Sequence, residues 1–364
     1  MQSVAWCATA ALMGVAVAAP APLGLTEAQQ LAVERSRQMT AYDSAIAAAR
    51  DIAVAAAQLP EPTLGVAQQP MSREKREARA ERYAREADRV AAQKIATRVE
   101  IAREAALAWF DCYYVEQMTR IAADQLKFAE VEVEGAERMY WAGRLPQAEF
   151  YATRTMLVMF EDKSSELEHR GRATRIALKR WVGDAGDAPL AALPNIDRIG
   201  LTPAGLEGDF VRHPEVALLQ KQEDIAASDV RVAQADRQSA PEIAATLAKR
   251  DESRAARDEK LRAEVAQTRI IIDQWQHARD RRDRYARQLV PLARERTQAT
   301  LVAYRGGKGT LTDVLAARRA ETEAQMQSVE MGREVARLWA RINFALPELL
   351  PTTQRGSSRE ERAQ

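Results

Sequence analysis

Few residues in this chain are of a type and spacing to do chemistry. The three histidines, His169, His213 and His277, stand far apart. None has a ligand partner three or four residues on, the spacing that sets two donors over one metal ion on a helix. Cys7 and Cys112 make no disulfide framework. Cys112 lies among apolar residues, as an ordinary buried thiol does. Met156 and Met159 carry thioethers that suit a soft metal, but their i, i+3 spacing beside Leu157 and Val158 is that of helix packing. The sequence pairs no nucleophile with a base and has no phosphate-cradling glycine loop or metal cluster. An enzyme reading finds nothing to work with, and we assign no catalytic residue, cofactor or metal.

The spacing that stands out is a repeat. Residues 140–154 read YWAGRLPQAEFYATR and residues 304–318 read YRGGKGTLTDVLAAR. At one constant offset Tyr140 matches Tyr304, Gly143 matches Gly307, Glu149 matches Asp313, Ala152 matches Ala316 and Arg154 matches Arg318. Further out, LTEA at 25–28 is echoed by LTPA at 201–204. A period near half the chain length points to duplication. Gly143 and the cluster Gly306-Gly307-Lys308-Gly309 supply the positive-φ positions at which a helix stops and reverses. Pro146 suits the first turn of a returning helix, where its missing N–H costs nothing. Glu149 and Asp313 fall just inside the returning helices, where the macrodipole favours a negative charge.

The elements that must hold these turns are long helices. Aromatic residues make up only 5% of the chain and charged ones 29%, a mixture that suits helices packed through narrow seams. Each half divides into three helical pieces, at about 26–58, 72–141 and 146–182, then at about 202–237, 242–304 and 310–345. Apolar residues step by three or four along them: Leu107, Phe110, Tyr114, Met118 and Ile121; Tyr285, Leu289 and Leu292; Val335, Leu338 and Ile342. At ~1.5 Å per residue the middle piece of each half spans about 95–105 Å, and its flanking pieces about half that. Two half-length helices stacked end to end therefore match one long helix, the proportions of a tall cylinder. Pro291 interrupts the second long helix and predicts a bend there. Residues 183–200, rich in Pro, Gly, Ala and Asp, read as a linker with short helical turns. Residues 4–19 form a small-apolar run ending in Ala16-Val17-Ala18, which predicts a secretory signal peptide over 1–19. Residues 347–364 read as a disordered tail.

The formal net charge is +1, with acidic and basic residues interleaved. The basic stretch 73–103 is broken by Glu74, Glu77, Glu81, Glu86, Asp88 and Glu100, so it reads as a solvated helix face and not a polyanion site. Nucleic acid is excluded as a partner.

The order of these features resembles the TolC-like outer-membrane efflux proteins. The carrying residues are Leu25-Thr26-Glu27-Ala28, Leu59-Pro60-Glu61-Pro62-Thr63-Leu64, Ala108-Trp109-Phe110-Asp111 with Tyr113-Tyr114, and His213-Pro214-Glu215-Val216. The turn Tyr304-Arg305-Gly306-Gly307, running on to Leu311-Thr312-Asp313-Val314-Leu315, completes the set. The nearest flavour is the heavy-metal and cation efflux branch. The resemblance implies an all-α fold of two repeats, 20–182 and 201–346, joined by the equatorial linker 183–200 and forming part of a trimeric α-helical barrel. It implies a passive duct of a tripartite (RND-type) pump in the periplasm and outer membrane of a Gram-negative bacterium. The partners implied are a periplasmic adaptor (membrane fusion) protein and an inner-membrane pump. Docking falls to Gly143, Arg144, Leu145, Gly307, Gly309, Thr310 and Leu311 at the tips. In a trimer Asp313 would form a ring of carboxylates at the lumen mouth, favouring cations, with Glu149 its weaker counterpart.

The sequence departs from that family in one respect. A membrane-spanning strand takes about 9–11 residues. Residues 63–69 in the first half and 238–241 in the second leave no room for a pair. The expectation is a periplasmic α-cylinder without its membrane pore. The alternative is a barrel-less soluble helical scaffold of the same descent.

Overall fold

A computed structural model describes residues 21–58 and 72–349. The signal-peptide segment 1–19, the first-half strand segment 63–69 with its 59–64 motif, and all of the tail beyond Leu349 lie outside the described residues. The described residues are mostly helical: α1 (Leu25–Arg35), α2 (Arg37–Ala57), α3 (Arg73–Trp141), α4 (Gln147–Val182), α5 (Leu206–Phe210), α6 (Pro214–Ala235), α7 (Ala240–Arg284), α8 (Val290–Arg305) and α9 (Leu311–Asn343). The expected pieces are present, with two refinements. Ser36, in extended backbone, divides the first piece into α1 and α2. The fourth piece starts with the short α5 and resumes at Pro214, a proline at the first helical position.

Side-chain caps start the main helices. Ser72 Oγ accepts from the Lys75 amide at 3.3 Å at the head of α3. The Ser239 amide and hydroxyl both donate to Glu242 at the head of α7, at 2.8 and 2.7 Å. α3 runs 69 residues, or about 104 Å. It packs against α2 and α6 along its first half and against α4 and α9 along its second. α7 packs against α6 and then α9, which continues along α8. The half-length helices are therefore stacked in pairs beside the long ones, as the lengths required.

The main core lies where the stacked pairs meet. Trp109, Phe110, Leu178, Leu206, Phe210, Val335 and Ile342 are all essentially inaccessible there. Three indoles pin loop backbone to this core: Trp109 donates to the Leu23 carbonyl at 3.0 Å, Trp275 to Ile196 at 3.3 Å and Trp339 to Arg198 at 2.7 Å. Residues 183–200 open with a 3-10 turn, Gly183–Asp187. They then form a parallel bridge, Leu23 with Leu190, closed by Leu23 N–H to Pro189 (2.8 Å) and Ala191 N–H to Leu23 (3.0 Å). The Arg175 guanidinium donates to the Gly186 and Ala188 carbonyls at 2.8 and 2.9 Å. The expected linker is thus a strap tied across the equator.

Pro291 is absorbed by a widened turn. Tyr285–Leu289 is π-helical, and the Val290 amide reaches back five residues to Tyr285. This is how a helix re-sorts its hydrogen bonds around a residue that lacks a donor. At the end opposite the glycine turns, α6 passes to α7 through residues 236–239. Among the described residues no strand occurs beyond the isolated Leu23–Leu190 bridge. No described helix is long and apolar enough to cross a membrane.

Candidate functional site

Both glycine turns close on the same hydrogen-bond pattern. After α3 the Arg144 amide donates to Met139 at 2.9 Å and the Gly143 amide to Tyr140 at 2.9 Å, with Gly143 at φ 68°. After α8 the Lys308 amide donates to Ala303 at 2.9 Å and Gly307 to Tyr304 at 3.0 Å, with Gly307 at φ 72°. These are Schellman motifs, which satisfy the last helical carbonyls and need a left-handed residue. A Cβ on Gly143 or Gly307 would meet nothing within 4 Å, so backbone conformation and not crowding calls for glycine there. Gly309 differs, because its Cβ would lie 3.3 Å from the Tyr304 nitrogen.

The two turns sit side by side on one small apolar core. Ala136, Leu145, Phe150, Leu311 and Leu315 are buried together, with Met139, Tyr140, Met156 and Tyr304 packed around them. Tyr140 stacks on Phe150 at 4.8 Å, 9° from parallel. The Tyr304 hydroxyl donates to Met139 Sδ at 3.6 Å, joining one tip to the other. Behind them Arg318 pairs with Glu132 at 3.2 Å and lies 4.7 Å from the Phe128 ring centroid. Sequence reasoning matched Tyr140 with Tyr304 and Arg154 with Arg318 but did not place them in a shared core.

The predicted tip residues therefore separate by role. Gly143, Arg144, Gly307 and Thr310 are exposed, and Gly309 is half-buried. Leu145 and Leu311 are only 6% exposed; their side chains hold the two tips together and do not face outward. Asp313 is exposed and committed to its own helix end. Its carboxylate accepts from the Thr310 hydroxyl at 2.7 Å and amide at 3.2 Å, while the Thr310 hydroxyl accepts from the Asp313 amide at 3.2 Å. This reciprocal cap holds the Asp313 carboxyl below the usual carboxylate range, chiefly through the Thr310 hydroxyl. Glu149 is half-buried; burial first, then Glu149 and Glu132, push the Tyr304 phenol up. The largest side chain left outside is Trp141, 77% exposed beside the first turn.

The other sequence candidates lie elsewhere. Burial pushes the Cys112 thiol up to about 11, which leaves it a packing residue. Met156 and Met159 line, with Met118 and Met326, a cavity of about 540 Å³ between α3, α4 and α9. Among the described residues no three His, Cys, Asp or Glu side chains converge as a metal site.

No protein-family profile matches the chain, and no curated protein matches it in sequence. Solved structures do match. The outer-membrane channel OprN is 14% identical with a TM-score of 0.75, over 90% of this chain and 91% of that one. CusC, described for folding and transmembrane channel formation, is 13% identical with a TM-score of 0.74, over 87% and 91%. The Campylobacter jejuni CmeC outer membrane channel is 10% identical with a TM-score of 0.75, over 91% and 87%. The fold is TolC-like, that of the outer-membrane efflux channels, as the residues of the first half and the repeat implied.

Proposed function

We propose that the chain is the periplasmic duct component of a tripartite, RND-type efflux system. It would act as a passive export conduit in the periplasm and outer membrane of a Gram-negative bacterium. One observation carries the reading: two matched turns, fused by the Leu145–Leu311 core into a single presenting surface, end a helical palisade with the fold of outer-membrane channels. Gly143, Arg144, Gly307, Gly309 and Thr310 would offer backbone and side chain to a periplasmic adaptor, with Leu145 and Leu311 setting their spacing. Three copies would close the cylinder, each giving repeats 20–182 and 201–346 joined by the strap 183–200. In that ring Asp313, already ionised by its cap, would carry charge at the lumen mouth, and Glu149 would lie deeper.

Light scattering combined with small-angle scattering on residues 20–364 tests the assembly. A trimeric particle on the order of 100 Å long supports the duct, and a monomeric rod removes it. Cross-linking from a cysteine at Arg144 to a co-expressed adaptor then tests docking.

A second reading is favoured by the turn at 236–239: a barrel-less helical scaffold without autonomous transport. Four residues between α6 and α7 hold no pair of spanning strands at about 9–11 residues each. Conductance from the isolated chain in a planar bilayer would overturn it.

A further inference from the structure

His213 belongs to neither tip nor seam, and its surroundings are unusual. It occupies the N-cap position of α6 without a side-chain capping hydrogen bond and is 8% exposed. Its ring stacks on Phe210 of α5 at 5.2 Å, 7° from parallel. Nε2 stands 3.8 Å from Glu264 on α7, beyond hydrogen-bond reach, and buried Nδ1 has no partner among the described residues. A buried polar atom left unpaired is costly, so this arrangement calls for a physical reason.

The ring borders a cavity of about 430 Å³ between α3, α6 and α7. The charged groups facing it come from all three helices: Glu100 and Arg103 from α3, Glu215 from α6, Lys260 and Glu264 from α7. Lys260 bridges Glu215 and Glu264, at 2.9 Å to the latter, and so ties α6 to α7 directly beside the imidazole. A protonated His213 would add a positive charge next to Lys260, Arg103 and the positive end of α6. The nearest acceptor able to meet it is Glu264, which Lys260 already holds.

We propose that His213 is an acid-operated latch at the equator: neutral, it fills the joint between α5, α6 and α7; protonated, it competes with Lys260 for Glu264 and loosens the α6–α7 seam. Burial, first, holds the imidazole below its ordinary value; Lys260 and Arg103 act the same way, and Glu264 and Glu215 act against them. A base held below its unfolded value favours the neutral form in the folded chain. Its stabilising contribution is complete above about pH 6.5 and is lost as pH falls through the folded value. The latch rests on the fold and not on the duct reading, so it stands or falls whether or not the tips bind a partner.

Hydrogen exchange read by mass spectrometry tests it on the whole chain, with amide protection over 217–222 compared at pH 7 and pH 5 after correction for chemical exchange. The expected result is about a tenfold loss of protection at pH 5, and no loss in His213→Gln. The same loss in His213→Gln would overturn the latch. Should that variant fail to fold, Glu264→Gln serves: the transition moves to lower pH if Glu264 is the recruited acceptor. An unmoved transition overturns the proposal. Exchange at the C2 hydrogen of His213, with exposed His169 and His277 as references, must place its titration below 6.5; a value at or above that also overturns it.

Discussion

The two ends of the molecule reverse their helices with the same hydrogen bonds and hold the result by different forces. At the α6–α7 turn the Gln238 amide donates to Ala233 and the Arg237 amide to Gln234, both at 3.0 Å, a third Schellman motif. Its left-handed position is Arg237, at φ 55°, where the tips have glycine. Around it lie ion pairs: Asp236 with Lys75 and Arg79, each at 3.3 Å, Asp229 with Arg82 at 2.8 Å and Glu81 with Arg231 at 2.6 Å. The tips instead share a buried apolar core. One end is shaped by packing and permissive backbone; the other tolerates strain and is tied by charge.

The largest effect that would break this contrast comes from the tip core. Phe150→Ala removes a ring that is 8% exposed and stacked on Tyr140. It should cost about 3 kcal/mol and raise amide exchange over 136–156 while leaving 229–242 unchanged. Equal loss at both ends would mean that the ends are one cooperative unit. Next comes a reciprocal pair. Gly307→Ala should destabilise by about 1 kcal/mol, because alanine is strained at positive φ, and Arg237→Gly should stabilise by up to about 1 kcal/mol by relieving that strain. Denaturant midpoints that move the same way in both variants would contradict the conformational argument.

Salt should discriminate more gently. Exposed pairs contribute at most about 1 kcal/mol each and are screened, so 1 M NaCl should lower protection at 229–242 and spare the tips. Smallest of all is the Asp313 cap. Its carboxyl is held below its unfolded value, so its contribution is present above about pH 3.8 and disappears as pH falls through the folded value. Asp313→Asn should abolish that acid-side step in the exchange of the first turn of α9.

How much of this was legible follows from where each determinant sits in the chain. The helices and both tips are local: three- and four-residue apolar steps, a glycine at a repeated offset and Pro146 place them without tertiary help. The Thr310–Asp313 cap was also present as a local spacing, although only the macrodipole half of it was read. Pro291 announced an irregularity; the π turn over Tyr285–Leu289 that meets it was not legible, because its form depends on neighbours that take up the freed carbonyl. Arg237 gave no signal, since a left-handed arginine is disfavoured by propensity and selected only by the fit of α6 onto α7. The inward orientation of Leu145 and Leu311 depends on two turns 164 positions apart in the repeat meeting in space. The linker 183–200 was legible, but the ties around it were hidden: Trp109, Trp275 and Trp339 act on carbonyls 79 to 141 residues away.

Those indoles also make the protein its own optical instrument. Trp109 and Trp275 emit from a dry, hydrogen-bonded interior, whereas Trp141 stands in water at the first tip. A molecule that seats on the tips would shift the red edge of the emission to the blue and leave the interior component untouched. Opening the equator would do the reverse. The colour of the emitted light therefore separates an event at the tips from one at the equator, with no label attached.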